Sequence, residues 1–263
     1  MKEMISSQCL YAAHPPMPEV PTTILLVTPV WKDSSRLADF GAELAQALAA
    51  SPLPVRWIIA DDGSGDTEKA RLLELRTGFA KIFPNVEVHF AKEHRGKGSV
   101  VREAWALDLA AEWLAFVDAD GSVTAHDMLD LITEAIAANQ SVLGIRKRTA
   151  TTQLIESPWR GFIHRGFLLM ARLLLGFRCE DLQCGGKIIR GKDYRQVMDG
   201  LVENGLAFDS ELLCALHRSG AKWLEIPVSW EEKKGGKVKP IWDALPMLMA
   251  LLRIRFQKHQ DAP

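Results

Sequence analysis

Cysteine is scarce in this chain. Its four residues, Cys9, Cys179, Cys184 and Cys214, form no CxxC pair and no Cys/His spacing that suits zinc. Neither a structural zinc site nor a disulfide framework is expected, and reduced thiols in a cytoplasmic protein are the default. No stretch of about 18 apolar residues is free of charge, so a conventional transmembrane helix is excluded. Before Pro21 the apolar residues never form a signal-peptide core. The composition, 48% hydrophobic and 25% charged, excludes collagen-like, low-complexity and disordered classes. What remains is a chain of 263 residues, enough for one large domain with a full core and no covalent staples.

The net charge of −1 hides an uneven distribution. Residues 1–143 carry 12 basic and 20 acidic groups, whereas residues 144–195 carry 11 basic and 4 acidic. A basic middle on an acidic chain points to an anion, such as a phosphate or an acidic surface, meeting that segment. A solvated basic face is the alternative.

Apolar, β-branched runs alternate with helical spacing. Strands are expected at 23–30, 55–60, 86–91, 113–117 and 141–145, and helices at 34–50, 68–80, 98–111 and 125–138, the last capped by Thr124. Such alternation argues for a mostly parallel α/β sheet covered by helices on both faces. The second half is less regular. It has a long apolar helix at 157–177, a short strand at 187–190, a helix at 208–219, a strand at 223–230 and a final helix at 240–256.

Open α/β sheets bind ligands beyond the carboxyl ends of their strands. Asp61 and Asp62 follow the second strand, and Asp118 and Asp120 follow the fourth. In Asp-x-Asp alternate side chains share a side, so both carboxylates can face one hard cation. Two turn or cap aspartates would read the same way. Arg95-Gly96-Lys97-Gly98-Ser99 is neither a P-loop nor GxGxxG, yet two glycines around a lysine at a helix start can approach a phosphate closely. Asp181, in a polar break, and Asp209 with Glu211, at a helix start, are candidate carboxylates for orienting or deprotonating an acceptor. Spacing does not choose between them, and Asp209 could equally be a helix cap.

The motifs Asp61-Asp62-Gly63-Ser64-Gly65-Asp66, Arg95-Gly96-Lys97-Gly98, Asp118-Ala119-Asp120-Gly121, Gly144-Ile145-Arg146, Gln183-Cys184-Gly185-Gly186-Lys187, Phe208-Asp209-Ser210-Glu211 and Glu225-Ile226-Pro227-Val228-Ser229-Trp230 follow in one order. In that order the sequence resembles family 2 inverting glycosyltransferases of GT-A fold. It looks most like their dolichyl- or polyprenyl-phosphate β-glucosyltransferase branch, a relative of dolichyl-phosphate mannose synthases.

The resemblance implies a UDP-sugar donor, glucose first, and a lipid-phosphate acceptor, with inversion at the anomeric carbon. Pro29, Trp31, Asp33, Asp62, Gly96, Lys97, Asp118 and Lys237 are implied to hold the nucleotide sugar, with Asp118 and Asp120 binding Mg²⁺ or Mn²⁺. Arg146 matches a family motif, whereas Arg160 and Arg165 are assigned to the acceptor phosphate from charge and position, because guanidinium pairs with phosphate in bidentate fashion. Asp181 matches the family's proposed base or acceptor-orienting group, with Asp209 and Glu211 as the other catalytic candidates. Lys32 departs from the family, standing where an amide is usual.

The expected organisation is a flexible leader at 1–22 and a GT-A domain at 23–240, with a nucleotide-binding half (23–146) and an acceptor half (147–240). An interfacial helix and tail follow at 241–263. Residues 166–177 and 244–256 are strongly apolar beside basic groups, which suits peripheral contact with the cytoplasmic face of a membrane. No nucleic-acid partner is expected, and the oligomeric state stays open. Two other readings remain: the same nucleotide site with a soluble acceptor, and a non-catalytic sugar-nucleotide-binding protein.

Overall fold

The computed structural model describes residues 23–233, 235 and 240–257. The expected leader, the end of the tail and Lys237 lie outside them.

The first half alternates as its hydropathy dictates: β1 (Ile24–Val30), α1 (Ser34–Ala50), β2 (Val55–Asp61), α2 (Asp66–Ala80), β3 (Val86–Phe90), α3 (Lys97–Trp105), β4 (Trp113–Val117), α4 (Ala125–Ala138) and β5 (Ser141–Arg146). The second half holds β6 (Leu154–Ile155), α5 (Pro158–Leu175), β7 (Gly186–Arg190), α6 (Gly191–Val197), α7 (Phe208–Arg218), β8 (Trp223–Val228), β9 (Trp230–Glu231) and α8 (Pro240–Phe256). Seven strands form one sheet in the order β3-β2-β1-β4-β7-β5-β8, and β6 pairs with β9 in a separate ribbon.

The period of two along β1 builds two cores. Leu25 and Val27 join the cluster that includes Trp105, Phe116 and Phe208 on one face. Ile24 and Leu26 join Leu37, Leu44 and Trp57 on the other. Of three fully buried indoles two are paired, while Trp113 Nε1 has no hydrogen-bond partner among the described residues. Trp57 Nε1 donates to Thr28 Oγ1 at 3.0 Å, and Trp105 Nε1 donates to the Ala115 carbonyl at 3.2 Å. Thr124 caps α4 as expected, its side chain accepting from the Asp127 N–H at 3.0 Å.

Three expectations change. The helix expected at 98–111 stops at Trp105 and gives way to a 3-10 turn at Ala106–Asp108, because the Glu112 and Trp113 N–H groups must turn to the Thr23 carbonyl to start β4. The strand near 187 runs antiparallel between β4 and β5, in the middle of the sheet. The strand expected at 223–230 divides, since Trp230 leaves β8 and pairs with β6.

Candidate active site

The strand order reverses between β1 and β4, which flank a crevice at their carboxyl ends. Chain segments leaving β1, β2 and β4 meet there, in three adjoining groups of side chains.

The first group orders the loop before α3. Asp62 is nearly fully buried, and its carboxylate accepts the N–H groups of Arg95 (2.9 Å) and Gly96 (2.8 Å). His94 Nδ1 lies 2.7 Å from the same carboxylate, and the His94 ring stacks on Trp31 with centroids 4.0 Å apart. The lysine in place of the family amide, Lys32, has a left-handed φ of 49° and donates its N–H to Ser64 Oγ at 2.8 Å. Gly96 adopts φ 114°, and a Cβ there would meet the Asn204 carbonyl at 2.6 Å, so only glycine fits. Pro29 lies beside Ala60 in the β1–β2 pairing, one residue before the end of β1.

The second group surrounds the Asp-x-Asp pair. Lys97 Nζ lies 2.8 Å from Asp118 Oδ1 and 3.4 Å from Asp209 Oδ2, and Lys187 Nζ lies 2.8 Å from Asp209 Oδ1. Burial opposes the charge on Lys97, yet the two carboxylates outweigh it and raise its pKa. Burial raises the pKa of Asp118, and the neighbouring charge of Asp120 adds to this against the opposing pull of Lys97. Burial also acts on Asp209, but Lys187 and Lys97 prevail and lower it. Asp120 accepts from the Ser122 N–H at 2.9 Å and faces Arg36, whose Nη1 is 3.2 Å from its Oδ2. Arg36 also grips Asp33 through Nε at 2.9 Å and through Nη2.

Asp118 and Asp120 fit a hard cation that completes its shell with water and substrate oxygens. They do not form a protein cage: among the described residues no cluster of three or more His, Cys, Asp or Glu could hold a metal.

The third group is built around Arg146. Arg146 and Asp181 form a bidentate pair, both side chains being nearly inaccessible, and the Arg146 N–H adds a 3.1 Å bond to Asp181 Oδ2. Burial works against the Asp181 carboxylate, but Arg146 outweighs it and holds the carboxyl well below the usual range. His164 Nδ1 lies 3.0 Å from Arg146 Nη2. Burial, reinforced by the Arg146 charge, depresses the His164 pKa to about 4, so its ring is neutral at physiological pH. Both Arg146 and Arg160 place their guanidiniums over the Trp230 ring, at 5.2 and 5.3 Å from its centroid. Arg160 also pairs with Glu232 at 3.2 Å, while Arg165 is exposed on α5.

The segment 181–187 joins the second and third groups. It carries Asp181, gives the Gly185 carbonyl to the Asp118 N–H at 3.1 Å, and ends in Lys187. A Cβ on Gly185 would sit 2.3 Å from Asp118 Oδ2, which explains a glycine at this crossing.

The expected Glu211 does not join the site. Glu211 accepts the backbone N–H groups of Val202 (3.0 and 3.1 Å) and Glu203 (2.8 Å), so its carboxylate is committed to tethering that loop. That engagement places Glu211 outside the three groups. Sequence reasoning missed Arg36, His94 and His164 as parts of these groups, and it quoted Lys187 and Trp230 only as the ends of two motifs, without a role. Arg36 carried one local signal, its i, i+3 spacing from Asp33 in the first turn of α1.

The model of the family described as Glycosyl transferase family 2 matches residues 26–197, which hold all three groups except Asp209, Trp230 and Glu232. The chain belongs to this family. Among its relatives is a dolichyl-phosphate beta-glucosyltransferase of Dictyostelium discoideum, 29% identical over 208 residues, covering 76% of this chain and 62% of that protein. The Saccharomyces cerevisiae protein of the same name is 27% identical, with coverages of 76% and 64%. This family 2 chain thus spans under two thirds of the length of these two relatives. An undecaprenyl-phosphate mannosyltransferase of Micrococcus luteus is 24% identical, with coverages of 82% and 86%. The fold matches crystals of glucosyl-3-phosphoglycerate synthase from Mycobacterium tuberculosis with Mn²⁺, UDP and phosphoglyceric acid. The TM-score is 0.61 at 14% identity, over 91% of this chain and 80% of that one. That likeness supports the GT-A fold.

Proposed function

We propose that the protein transfers a sugar, glucose first, from a UDP-sugar to a polyprenyl-phosphate-type lipid acceptor, with inversion at the anomeric carbon. The observation that carries this reading is the cluster of Arg146, Arg160, His164 and Trp230, joined by the 181–187 segment to the carboxylates of Asp118 and Asp120. A donor diphosphate and an acceptor phosphate need such unlike neighbours side by side. The relatives named for dolichyl-phosphate and undecaprenyl-phosphate support the same class of acceptor.

In this mechanism the loop ordered by Asp62, together with Pro29 and Trp31, binds the uridine end. Asp33 acts through Arg36, and Lys97 sets the charge of the sugar–diphosphate pocket. Lys237, outside the described residues, is assigned to the nucleotide sugar by the family resemblance. Asp118 and Asp120 would hold Mg²⁺ or Mn²⁺, which neutralises charge on a leaving diphosphate. A phosphate oxygen is an anionic nucleophile at neutral pH, so the acceptor needs aiming more than deprotonation. This suits Asp181 as the group that orients Arg146, since its ion pair leaves it a poor base. Arg165, at the exposed edge of α5, would guide the phosphate in.

The acceptor's lipid calls for a membrane partner. No described helix is long and apolar enough to cross a membrane. The outward face of α5 nevertheless exposes Trp159, Phe162, Leu169 and Leu173, and α8, which packs against α5, exposes Leu245 and Met249. Amphipathic helices with basic neighbours settle in a bilayer interface, which supports a peripheral position on the cytoplasmic face.

The test is a thermal-shift titration with UDP, GDP, UDP-glucose and GDP-mannose, each with and without Mn²⁺, followed by transfer to a short polyprenyl phosphate. A ligand that binds only the native state raises its melting temperature. A metal-dependent shift with the uridine compounds and formation of a lipid-linked sugar are expected. A shift followed by transfer only to soluble phosphates would overturn the acceptor, and no shift at all would overturn the nucleotide site.

A further inference from the structure

The Asp-x-Asp carboxylates are already engaged by cations of the protein itself. Lys97 takes Asp118, and Arg36 takes Asp120 at 3.2 Å while holding Asp33 with its remaining donors. Arg36 spans 84 residues of sequence to do so, and its side chain is 20% exposed. A guanidinium is not deprotonated in proteins, so its charge needs no help from these neighbours. Arg36 is therefore a permanent cation at the point where a divalent ion would bind.

Charge balance gives this contact a consequence. Arg36, Lys97 and Lys187 stand against Asp33, Asp118, Asp120 and Asp209, leaving one excess negative charge. A divalent cation alone would reverse that sign, and a doubly charged diphosphate ester alone would deepen it. Entering together, they leave it unchanged. The guanidinium that must release Asp120 is also suited to the incoming diphosphate, because its planar fork matches phosphate oxygens.

We propose that Arg36 is a positioning residue that occupies Asp120 until a nucleoside diphosphate draws it away, so that divalent cation and nucleotide bind cooperatively. The proposal rests on the donor-site reading given above.

The test is direct titration of Mn²⁺ by the electron paramagnetic resonance of the free ion, with wild type, Arg36→Gln and Arg36→Lys, with and without saturating UDP. Wild type should bind Mn²⁺ about tenfold more tightly with UDP than without it, a coupling of ordinary size for linked sites. Arg36→Gln should bind Mn²⁺ alone about tenfold more tightly than wild type, an effect of the order expected when a competing charge is removed. Its gain from UDP should largely vanish, whereas Arg36→Lys keeps the charge but loses the fork and should fall between the two. Equal Mn²⁺ affinity for wild type and Arg36→Gln without nucleotide would overturn the proposal. UDP binding is read separately by thermal shift. A wild type that binds UDP but shows no role for Arg36 refutes only this inference, whereas one that never binds UDP refutes the donor site itself.

Discussion

Arg146 grips Asp181 along one edge of its guanidinium, Nε at 2.6 Å from Oδ2 and Nη2 at 2.9 Å from Oδ1. The pair is buried. A carboxylate so held orients an arginine better than it removes a proton.

Asp181→Asn should separate these roles. It leaves a buried guanidinium without its counter-charge, at a cost of about 3 kcal/mol or more in stability. Acceptor KM should rise more than kcat falls, as expected for a lost orienting contact. A loss confined to kcat, with the acceptor KM unchanged, would instead favour a base. Urea unfolding and steady-state kinetics with varied acceptor check both parts.

Asp120→Asn should remove Mn²⁺-dependent turnover and leave the melting temperature near wild type, because Asp120 is at the crevice and not in either core. Activity retained in full would take the cation away from this carboxylate.

Gly185→Ala tests the crossing of the two clusters. Its new methyl would fall 2.3 Å from Asp118 Oδ2, so the carboxylate must move. Loss of about tenfold or more in kcat/KM, on the scale of displaced catalytic groups, is expected with a folded circular-dichroism spectrum.

His164 gives a pH dependence whose sign follows from its depressed pKa. The unfolded chain takes up a proton near 6.5, whereas the folded ring refuses it until about 4. Falling pH across this window favours the unfolded state, so the His164 share of stability is complete above 6.5 and lost as pH falls to about 4. Urea midpoints at several pH values should fall less steeply in His164→Gln than in wild type.

Leu169→Glu with Leu173→Glu places charge on the exposed apolar face of α5. Flotation with vesicles containing anionic lipid should drop sharply while the UDP-induced thermal shift persists. Unchanged flotation would move the membrane contact elsewhere.

The sequence by itself determined the strand–helix alternation, because period-two and helical hydropathy are local properties of the chain. It determined where Asp62, Asp118 and Asp120 lie, because a polar motif after a buried run marks a strand's carboxyl end. Its motif order also fixed the family. Tertiary structure alone decided the pairing of charges. Arg36 with Asp120, Lys187 with Asp209 and Arg146 with Asp181 are set by which strands lie side by side. In particular, β7 inserts antiparallel between β4 and β5, and no local pattern announces that. Glu211 shows the same division: its place at a helix start was legible, but the loop N–H groups that claim its carboxylate arrive through folding.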